Sequence, residues 1–167
     1  MKTRGFEVVT TYKDENINLP KRATVHAAGY DFEASEDIIL PTIWKTLFKH
    51  DRLASTKGIT PTLVPTGIKA YMQDDEYLQL TNRSSNPLKR FLVLPNGVGV
   101  VDADYYNNDA NEGEIFFQLL NFGLQDKLIK KGDRIGQGIF HKFLKADGDM
   151  GGEKDRTGGF GSSDETN

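Results

Sequence analysis

The sequence contains no cysteine among its 167 residues. It therefore has no disulfide framework, no thiolate zinc site and no cysteine nucleophile, and we expect it to work in a reducing cytoplasm. It also lacks any apolar run near the roughly 18 residues that a membrane span needs. Its first four residues lead directly into an alternating segment, unlike a signal peptide. These absences predict a soluble, intracellular protein without a membrane partner.

A surplus of positive charge is also absent. The 21 Lys and Arg residues stand against 24 Asp and Glu residues, which gives a net charge of −3. This balance provides no electrostatic basis for binding duplex nucleic acid, so we expect no nucleic-acid partner. The sequence leaves phosphate ligands possible only if local basic side chains or backbone amides bind them. There is no P-loop pattern, and His26, His50 and His141 are too far apart for a zinc motif.

Short β-branched or aromatic runs, punctuated by Gly, Pro, Asn or Asp, recur along the chain. They cover residues 6–10, 38–40, 63–71, 77–80, 91–94, 98–101, 115–120 and 135–143. Their apolar period is close to two, and so many short strands predict an all-β sandwich or barrel. The Asn96-Gly97 dipeptide between two apolar runs predicts a β-hairpin.

Two segments depart from the strand pattern. Residues 41–61 contain the only tryptophan and predict a short amphipathic helix inserted between two strands. The apolar residues at helical spacing are Ile43, Trp44, Leu47 and Phe48. Residues 148–167 are rich in glycine and charge and too poor in apolar side chains to order themselves. We expect a β domain over residues 1–147, with this insert, followed by a flexible tail over residues 148–167.

Five short segments are polar or rich in glycine where a plain β domain needs neither. They are Ala28-Gly29-Tyr30-Asp31-Phe32, Asn82-Arg83-Ser84-Ser85, the stretch from Asn96 to Tyr105, Gly132-Asp133-Arg134-Ile135-Gly136-Gln137, and Arg156-Thr157-Gly158-Gly159-Phe160-Gly161-Ser162-Ser163. Each alone is typical of a turn, a strand entry or a linker. Together, in this order, they closely resemble the five motifs of the homotrimeric dUTP pyrophosphatases (dUTPases). The resemblance runs from about residue 5 to residue 163, outside the insert.

This resemblance implies a dUTPase-like jelly-roll β-barrel, assembled as a homotrimer with active sites at the subunit interfaces. The implied reaction converts dUTP to dUMP and pyrophosphate, which keeps uracil out of DNA and supplies dUMP for thymidylate synthesis. Mg²⁺ is the implied cofactor, held by the substrate triphosphate and water and by no protein ligand directly. Attack of water on the α-phosphorus needs a carboxylate base, and Asp102 matches the family's water-activating aspartate.

The resemblance also implies roles for the other motif residues. Asn96 and Gly99 would contact the uracil, Tyr105 would lie against the deoxyribose and exclude a 2′-hydroxyl, and Phe160 would stack on the base as a lid. The phosphate-binding residues would be Arg83, Ser84, Ser85, Gln137, Arg156, Gly159, Gly161, Ser162 and Ser163. Asp31 would support the site by orienting the hydration shell of Mg²⁺ or by pairing with Arg134.

Two alternatives stay open. The related dCTP deaminases share the Arg-Ser-Ser segment, but Gln118 stands where their proton-shuttling glutamate would be, and glutamine cannot perform that role. The second alternative is an interaction protein that binds a protein partner through the 41–61 insert, because an exposed apolar helix often marks a partner surface. The competing interpretation of the insert is that Trp44 and its apolar neighbours pack on the barrel.

Overall fold

The computed structural model describes residues 2–47 and 59–149, and in this part of the chain it is built almost entirely of short strands. The strands are β1 (Gly5–Val8), β2 (Lys21–Arg22), β3 (Tyr30–Glu33), β4 (Ile38–Leu40), β5 (Thr62–Pro65), β6 (Ile68–Tyr71), β7 (Glu76–Thr81), β8 (Leu92–Val93), β9 (Gly99–Asp102), β10 (Phe116–Asn121), β11 (Lys127–Ile129) and β12 (Arg134–Lys142). Among the described residues there is one α-helix, α1 (Ile43–Leu47), which lies between β4 and β5. The predicted all-β class is confirmed.

The strands form a jelly-roll barrel of antiparallel pairs. The largest sheet has five strands in the order β2-β3-β12-β7-β9, and a second sheet has the order β5-β10-β8. The pairs β1-β6 and β4-β11 complete the barrel. Most neighbours in these sheets are distant in sequence, so the chain crosses repeatedly between sheets. In the described residues no helix has the length and apolar character needed to span a membrane.

Side chains alternate between the barrel interior and its outer face. Along β7, Glu76, Leu78 and Leu80 are buried, whereas the residues between them are half-exposed. The interior is a single apolar cluster that includes Phe32, Leu40, Val64, Ile68, Leu78, Leu92, Ile115, Phe117, Leu119, Ile129 and Ile135. Burying these side chains supplies the main driving force for folding.

Two glycines of β12 admit large aromatic rings to the interior. A Cβ on Gly136 would overlap the ring of Phe117, and a Cβ on Gly138 would lie 2.8 Å from Phe32 Cε2. Phe32 and Phe117 are themselves in contact, with ring centroids 5.6 Å apart. Gly138 therefore fits this barrel because Phe32 fills the space that a larger side chain at position 138 would need.

The predicted turn at Asn96-Gly97 is present, but the predicted hairpin is wrong. Gly97 N donates to Leu94 O at 3.0 Å, and Gly97 has a φ of +70°, a left-handed conformation that favours glycine. The flanking strands do not continue side by side, since β8 pairs with β10 and β9 pairs with β7. The turn therefore connects two different sheets.

The predicted helix in the insert begins at Ile43 and is described to Leu47. Ile43 is buried, Trp44 Nε1 donates to Phe122 O at 3.1 Å, and Lys45 Nζ donates to Asp126 Oδ2 at 2.6 Å. These contacts attach α1 to the barrel. Phe48 lies outside the described residues, as does most of the tail, so the domain boundary near 147, the tail and a protein partner at the insert stay predictions.

Candidate active site

The carboxylate of Asp31, on β3, connects the first motif to the second and the fourth. Arg83 Nε donates to its Oδ1 at 3.0 Å, and Arg134 Nη1 donates to its Oδ2 at 3.1 Å. The side chain of Asp31 is only 14% exposed, against 24% for Arg83 and 51% for Arg134. The pair between Asp31 and Arg134 that the sequence suggested is thus present, and Arg83 joins it.

Two asparagines hold the second motif in place. Asn82 Oδ1 accepts from Arg83 N at 2.9 Å and from Asn86 Nδ2 at 2.7 Å, and Asn82 Nδ2 donates to Leu92 O at 3.1 Å. Asn86, which is completely buried, also donates to Ile135 O at 2.8 Å. The backbone that carries Arg83 is therefore fixed to β8 and β12. Sequence reasoning missed the role of both asparagines, because a buried asparagine cannot be told from a turn asparagine by its residue type.

Gln137 of the fourth motif lies beside the first two motifs. It is directly opposite Asp31 on one side and Thr81 on the other, and its Nε2 donates to Asn82 O at 3.4 Å. A Cβ on Gly29 would lie 3.0 Å from Gln137 Cδ, so glycine at this position makes room for the amide. Ser84 is exposed and Ser85 is half-buried just beyond Arg83. These residues form one polar group around Asp31.

The third motif forms a separate group. Asp102 ends β9 with an exposed side chain, directly opposite Tyr77 of β7. Tyr105 is 3% exposed, and its hydroxyl donates to Glu114 O at 2.8 Å and accepts from Asn111 Nδ2 at 2.8 Å. Asn96 is exposed on the turn, and Gly99 is buried against Leu80.

Asp102 and the Asp31 group lie on the same outer face of the five-stranded sheet but at different places. Asp31, Gln137 and Thr81 form one row across the sheet, and Asp102 forms another with Tyr77 and His141. The rows are four residues apart, or about 13 Å along the strands. From β3 to β9 there are three strand spacings, or about 14 Å across the sheet. One chain therefore does not bring Asp102 to the Arg83–Asp31 pair.

Two cavities open near these elements. One of about 310 Å³ is lined by charged side chains of both signs, which are Lys21, Arg22, Asp31, Glu33 and Arg134. Another, of about 690 Å³, lies beside α1 and has Trp44 in its lining. Within residues 2–47 and 59–149, no three His, Asp or Glu side chains converge as a metal site.

The fifth motif lies outside the described residues. Its predicted site residues are Arg156, Gly159, Phe160, Gly161, Ser162 and Ser163. The contacts of these residues with substrate therefore stay predictions.

Comparison with known proteins identifies the family. The sequence profile of the dUTPase family matches residues 15–164. The deoxyuridine 5′-triphosphate nucleotidohydrolase of Lactococcus lactis is 52% identical over 167 residues, which cover 98% of this chain and 99% of that protein. The protein of the same name from Rickettsia typhi is 35% identical over 151 residues, 87% of this chain and 88% of that protein.

Solved structures agree. A crystal structure of dUTPase from Streptococcus mutans matches with a TM-score of 0.73 and 48% identity, over 86% of this chain and 99% of that one. The dUTPase from phage phi11 of S. aureus shares the fold, with a TM-score of 0.65 and 17% identity over 87% of this chain and 94% of that one. The barrel and its polar sheet face therefore define a jelly-roll protein of the dUTPase type. Within that class, the chain belongs to the dUTPase family.

Proposed function

We propose that the chain is a dUTP diphosphatase, which hydrolyses dUTP to dUMP and pyrophosphate in the cytoplasm. Family membership supports this activity, as does 52% identity over nearly the whole length of a relative named for it. The reaction removes dUTP, which would otherwise enter DNA as uracil, and supplies dUMP for thymidylate synthesis.

Asp102 is the proposed general base. A carboxylate that is exposed at a strand end can accept a proton from a water molecule that approaches substrate. The water oxygen bonds to the α-phosphorus while the bond from this phosphorus to the α–β bridging oxygen breaks. The proton passes to Asp102, and pyrophosphate leaves with the charge that develops on that oxygen. Donors near the bridging oxygen stabilise this charge, and Ser84 and Arg83 are the proposed donors.

The turn from Asn96 to Gly99 is the proposed uracil site. Its main-chain groups can pair with the edge of the base, and backbone cannot move aside for the methyl group of thymine as a flexible side chain can. Tyr105 would form the wall against the deoxyribose. Two hydrogen bonds hold its hydroxyl, which suits a side chain that must exclude a 2′-hydroxyl by contact.

The Asp31 group is the proposed triphosphate site. Asp31 fixes the guanidinium of Arg83, and Arg134, Gln137 and the serines of the second motif lie beside it. We propose that residues 148–167 act as a tail that closes over the substrate and excludes water. Its proposed contacts are Phe160 on the base and Arg156, Gly159, Gly161, Ser162 and Ser163 on the phosphates.

The donor set fits a hydrated Mg²⁺ bound to the triphosphate. Each carboxylate oxygen of Asp31 accepts one guanidinium and keeps a lone pair that can accept from a metal-bound water. When bound, the ion neutralises charge on the phosphates, which eases attack at phosphorus.

The separation of Asp102 from the Asp31 group supports active sites that are shared between the chains of the homotrimer that family membership implies. Both must act on one triphosphate, yet within a chain they are about 13 Å apart along the strands and about 14 Å across them. A site that combines Asp102 of one chain with Arg83 of another removes this conflict. Three equivalent interfaces then give three sites per trimer.

Complementation between chains tests this arrangement. Asp102→Asn and Arg83→Ala proteins should each be inactive as homotrimers, because every site lacks one residue. When the two proteins are unfolded together and refolded, mixed trimers contain some sites in which both residues are native, so dUTP hydrolysis should return. No recovery, with mixed trimers present by mass spectrometry, would show that each site lies within one chain.

The reaction itself is tested with a panel of nucleotides. With Mg²⁺, the protein should release dUMP and pyrophosphate from dUTP and leave dCTP, dTTP and UTP nearly untouched, and Asp102→Asn should abolish turnover. Appearance of deoxyuridine nucleotides from dCTP would instead assign the chain to the deaminases, despite Gln118. Tight binding of dUTP without turnover would favour the interaction protein.

A further inference from the structure

The loop that follows Tyr105 is closed by the side chains of its asparagines. We call residues 106–114 the asparagine loop. Asn108 Oδ1 accepts from Ala110 N at 3.0 Å and from Asn111 N at 3.1 Å, while Asn108 Nδ2 donates to Tyr105 O and to Asn111 Oδ1, both at 2.9 Å. Asn108 is buried. These amides take the place of a strand ladder and give the loop one conformation.

Asn111 connects this loop to the ring of Tyr105. Its Nδ2 donates to the Tyr105 hydroxyl at 2.8 Å, and its Oδ1 accepts from Gly113 N at 3.1 Å as well as from Asn108. The same hydroxyl donates to Glu114 O at 2.8 Å. Because one partner is a donor and the other an acceptor, the ring cannot slide or tilt without losing a buried hydrogen bond.

The far side of the loop is attached to the barrel. Glu112 Oε2 accepts from Thr10 N at 3.1 Å, from Thr10 Oγ1 at 2.9 Å and from Lys69 Nζ at 3.2 Å. Lys69, which is buried, also donates to Asn107 Oδ1 at 2.6 Å. Asn107 and Glu112 both have a φ of +57°, a conformation that costs energy for a side chain such as glutamate. The loop therefore holds its shape against local backbone preference.

If the ring of Tyr105 is to exclude a 2′-hydroxyl by contact, its position has to be fixed. An apolar pocket discriminates poorly against an analogue that only adds a hydroxyl. Functional side chains have to be held within about 0.5 Å of the productive geometry. We propose that Asn111, oriented by Asn108, is a positioning residue that fixes Tyr105 and thereby sets the preference for deoxyribose over ribose nucleotides. This inference rests on the proposed function, in which Tyr105 contacts the sugar.

Asn111→Asp is the sharpest test, because it changes one atom. The aspartate keeps the Oδ1 acceptor for Gly113 N and Asn108 but replaces the donor to the Tyr105 hydroxyl with an acceptor. We expect the ratio of kcat/KM for dUTP to kcat/KM for UTP to fall about tenfold, the equivalent of one hydrogen bond, mainly through a gain with UTP. Tyr105→Phe, which removes the same bond from the other side, should have a similar effect.

Asn107→Asp is the matched control. It makes the same chemical change in the same loop, at an exposed residue whose amide oxygen contacts Lys69 and not Tyr105. The dUTP/UTP ratio should be unchanged. If Asn111→Asp lowers the Tm and reduces kcat/KM for both nucleotides by the same factor, the residue serves stability alone and the proposal is wrong.

Tyr105→Ala separates the failure of this inference from the failure of the proposed function. If this variant hydrolyses UTP no better than the native protein does, Tyr105 does not exclude the 2′-hydroxyl. Both the proposed sugar contact of Tyr105 and the proposed positioning role of Asn111 are then wrong. If Tyr105→Ala gains UTP hydrolysis while Asn111→Asp and Tyr105→Phe do not, the wall stands and the positioning role of Asn111 is overturned. A gain in all three variants supports the proposal.

Discussion

Arg83 and Asp31 are 52 residues apart in sequence, yet Arg83 Nε donates to Asp31 Oδ1 at 3.0 Å with both side chains largely buried. A guanidinium fixed by a carboxylate is already oriented before a phosphate arrives, so little side-chain freedom remains to be lost on binding. The contact also connects the loop after β7 to β3, so the first two motifs act as one unit.

Asp31→Asn should weaken both substrate binding and catalysis. The amide can still accept from one guanidinium, but it cannot neutralise two, so Arg83 and Arg134 lose their fixed orientation. We expect the KM for dUTP to rise and kcat to fall, each about tenfold, because Arg83 is proposed both to bind the phosphates and to stabilise the charge on the leaving oxygen. Steady-state kinetics checks this, with Asp75→Asn as control, because the Asp75–Lys142 pair is exposed. An equal effect of both variants would contradict the prediction.

Glu112 should make stability depend on pH in acid. Hydrogen bonds from the Thr10 hydroxyl and amide, together with Lys69, lower the pKa of Glu112 from 4.5 to about 2. Between these values the unfolded chain binds the proton more readily than the folded one, so stability is full above pH 4.5 and declines as the pH falls toward 2. Urea unfolding of the native protein and of Glu112→Gln should give free-energy differences that shrink over this range. A difference that is constant with pH would contradict this.

Gly138 and Phe32 should be coupled in stability. A Cβ at position 138 would lie 2.8 Å from Phe32 Cε2 and 3.0 Å from Leu78 Cδ1, so Gly138→Ala should cost about 1–3 kcal/mol through overpacking. Phe32→Leu shortens the side chain on the crowded side. In denaturant unfolding, the double variant should therefore lose less free energy of unfolding than the sum of the losses of the two single variants. Simple additivity would show that Phe32 is not the obstacle.

Trp44 should contribute to stability and not to turnover. Trp44→Phe removes the donor to Phe122 O and should lower the free energy of unfolding by about 1 kcal/mol. dUTP hydrolysis should be unchanged, because Trp44 is attached to Phe122, which belongs to none of the five motifs. Trp44 is also the only tryptophan, so its fluorescence should change at the same denaturant concentration as circular dichroism does. An earlier change in fluorescence would mean that α1 detaches before the barrel unfolds.

The sequence predicted the strands that carry a clear apolar period. It predicted β4 at its observed bounds and β7 and β9 within a residue or two. It missed β2, β3 and β11, none of which lies in a predicted run. Of these, β2 is two exposed basic residues with no apolar face for a pattern to reveal. It also joined β5 and β6 into one run, whereas Gly67, with a φ of +66°, separates them. Short strands defined by their partners cannot be recognised from their own residues.

The candidate site follows a similar division. Motif order alone indicated Asp31, Arg83 and Asp102, because these residues have recognisable local neighbours. Asn86 and Asn111 were missed, since their importance comes from burial and from the groups that they contact. No local pattern reports such contacts. The wrong hairpin has the same origin, because the pairing of β8 and β9 is decided by β10 and β7.

The divergence of β8 and β9 has a consequence for molecular recognition. A turn at the end of an isolated hairpin can move together with its two strands. The turn at Asn96-Gly97 cannot move in this way, because β8 on one side and β9 on the other belong to different sheets. The turn therefore loses its conformational entropy during folding, and little remains to be lost on ligand binding. In the proposed uracil site, discrimination against the methyl group of thymine would therefore depend on the packing of the whole barrel and not on the turn alone.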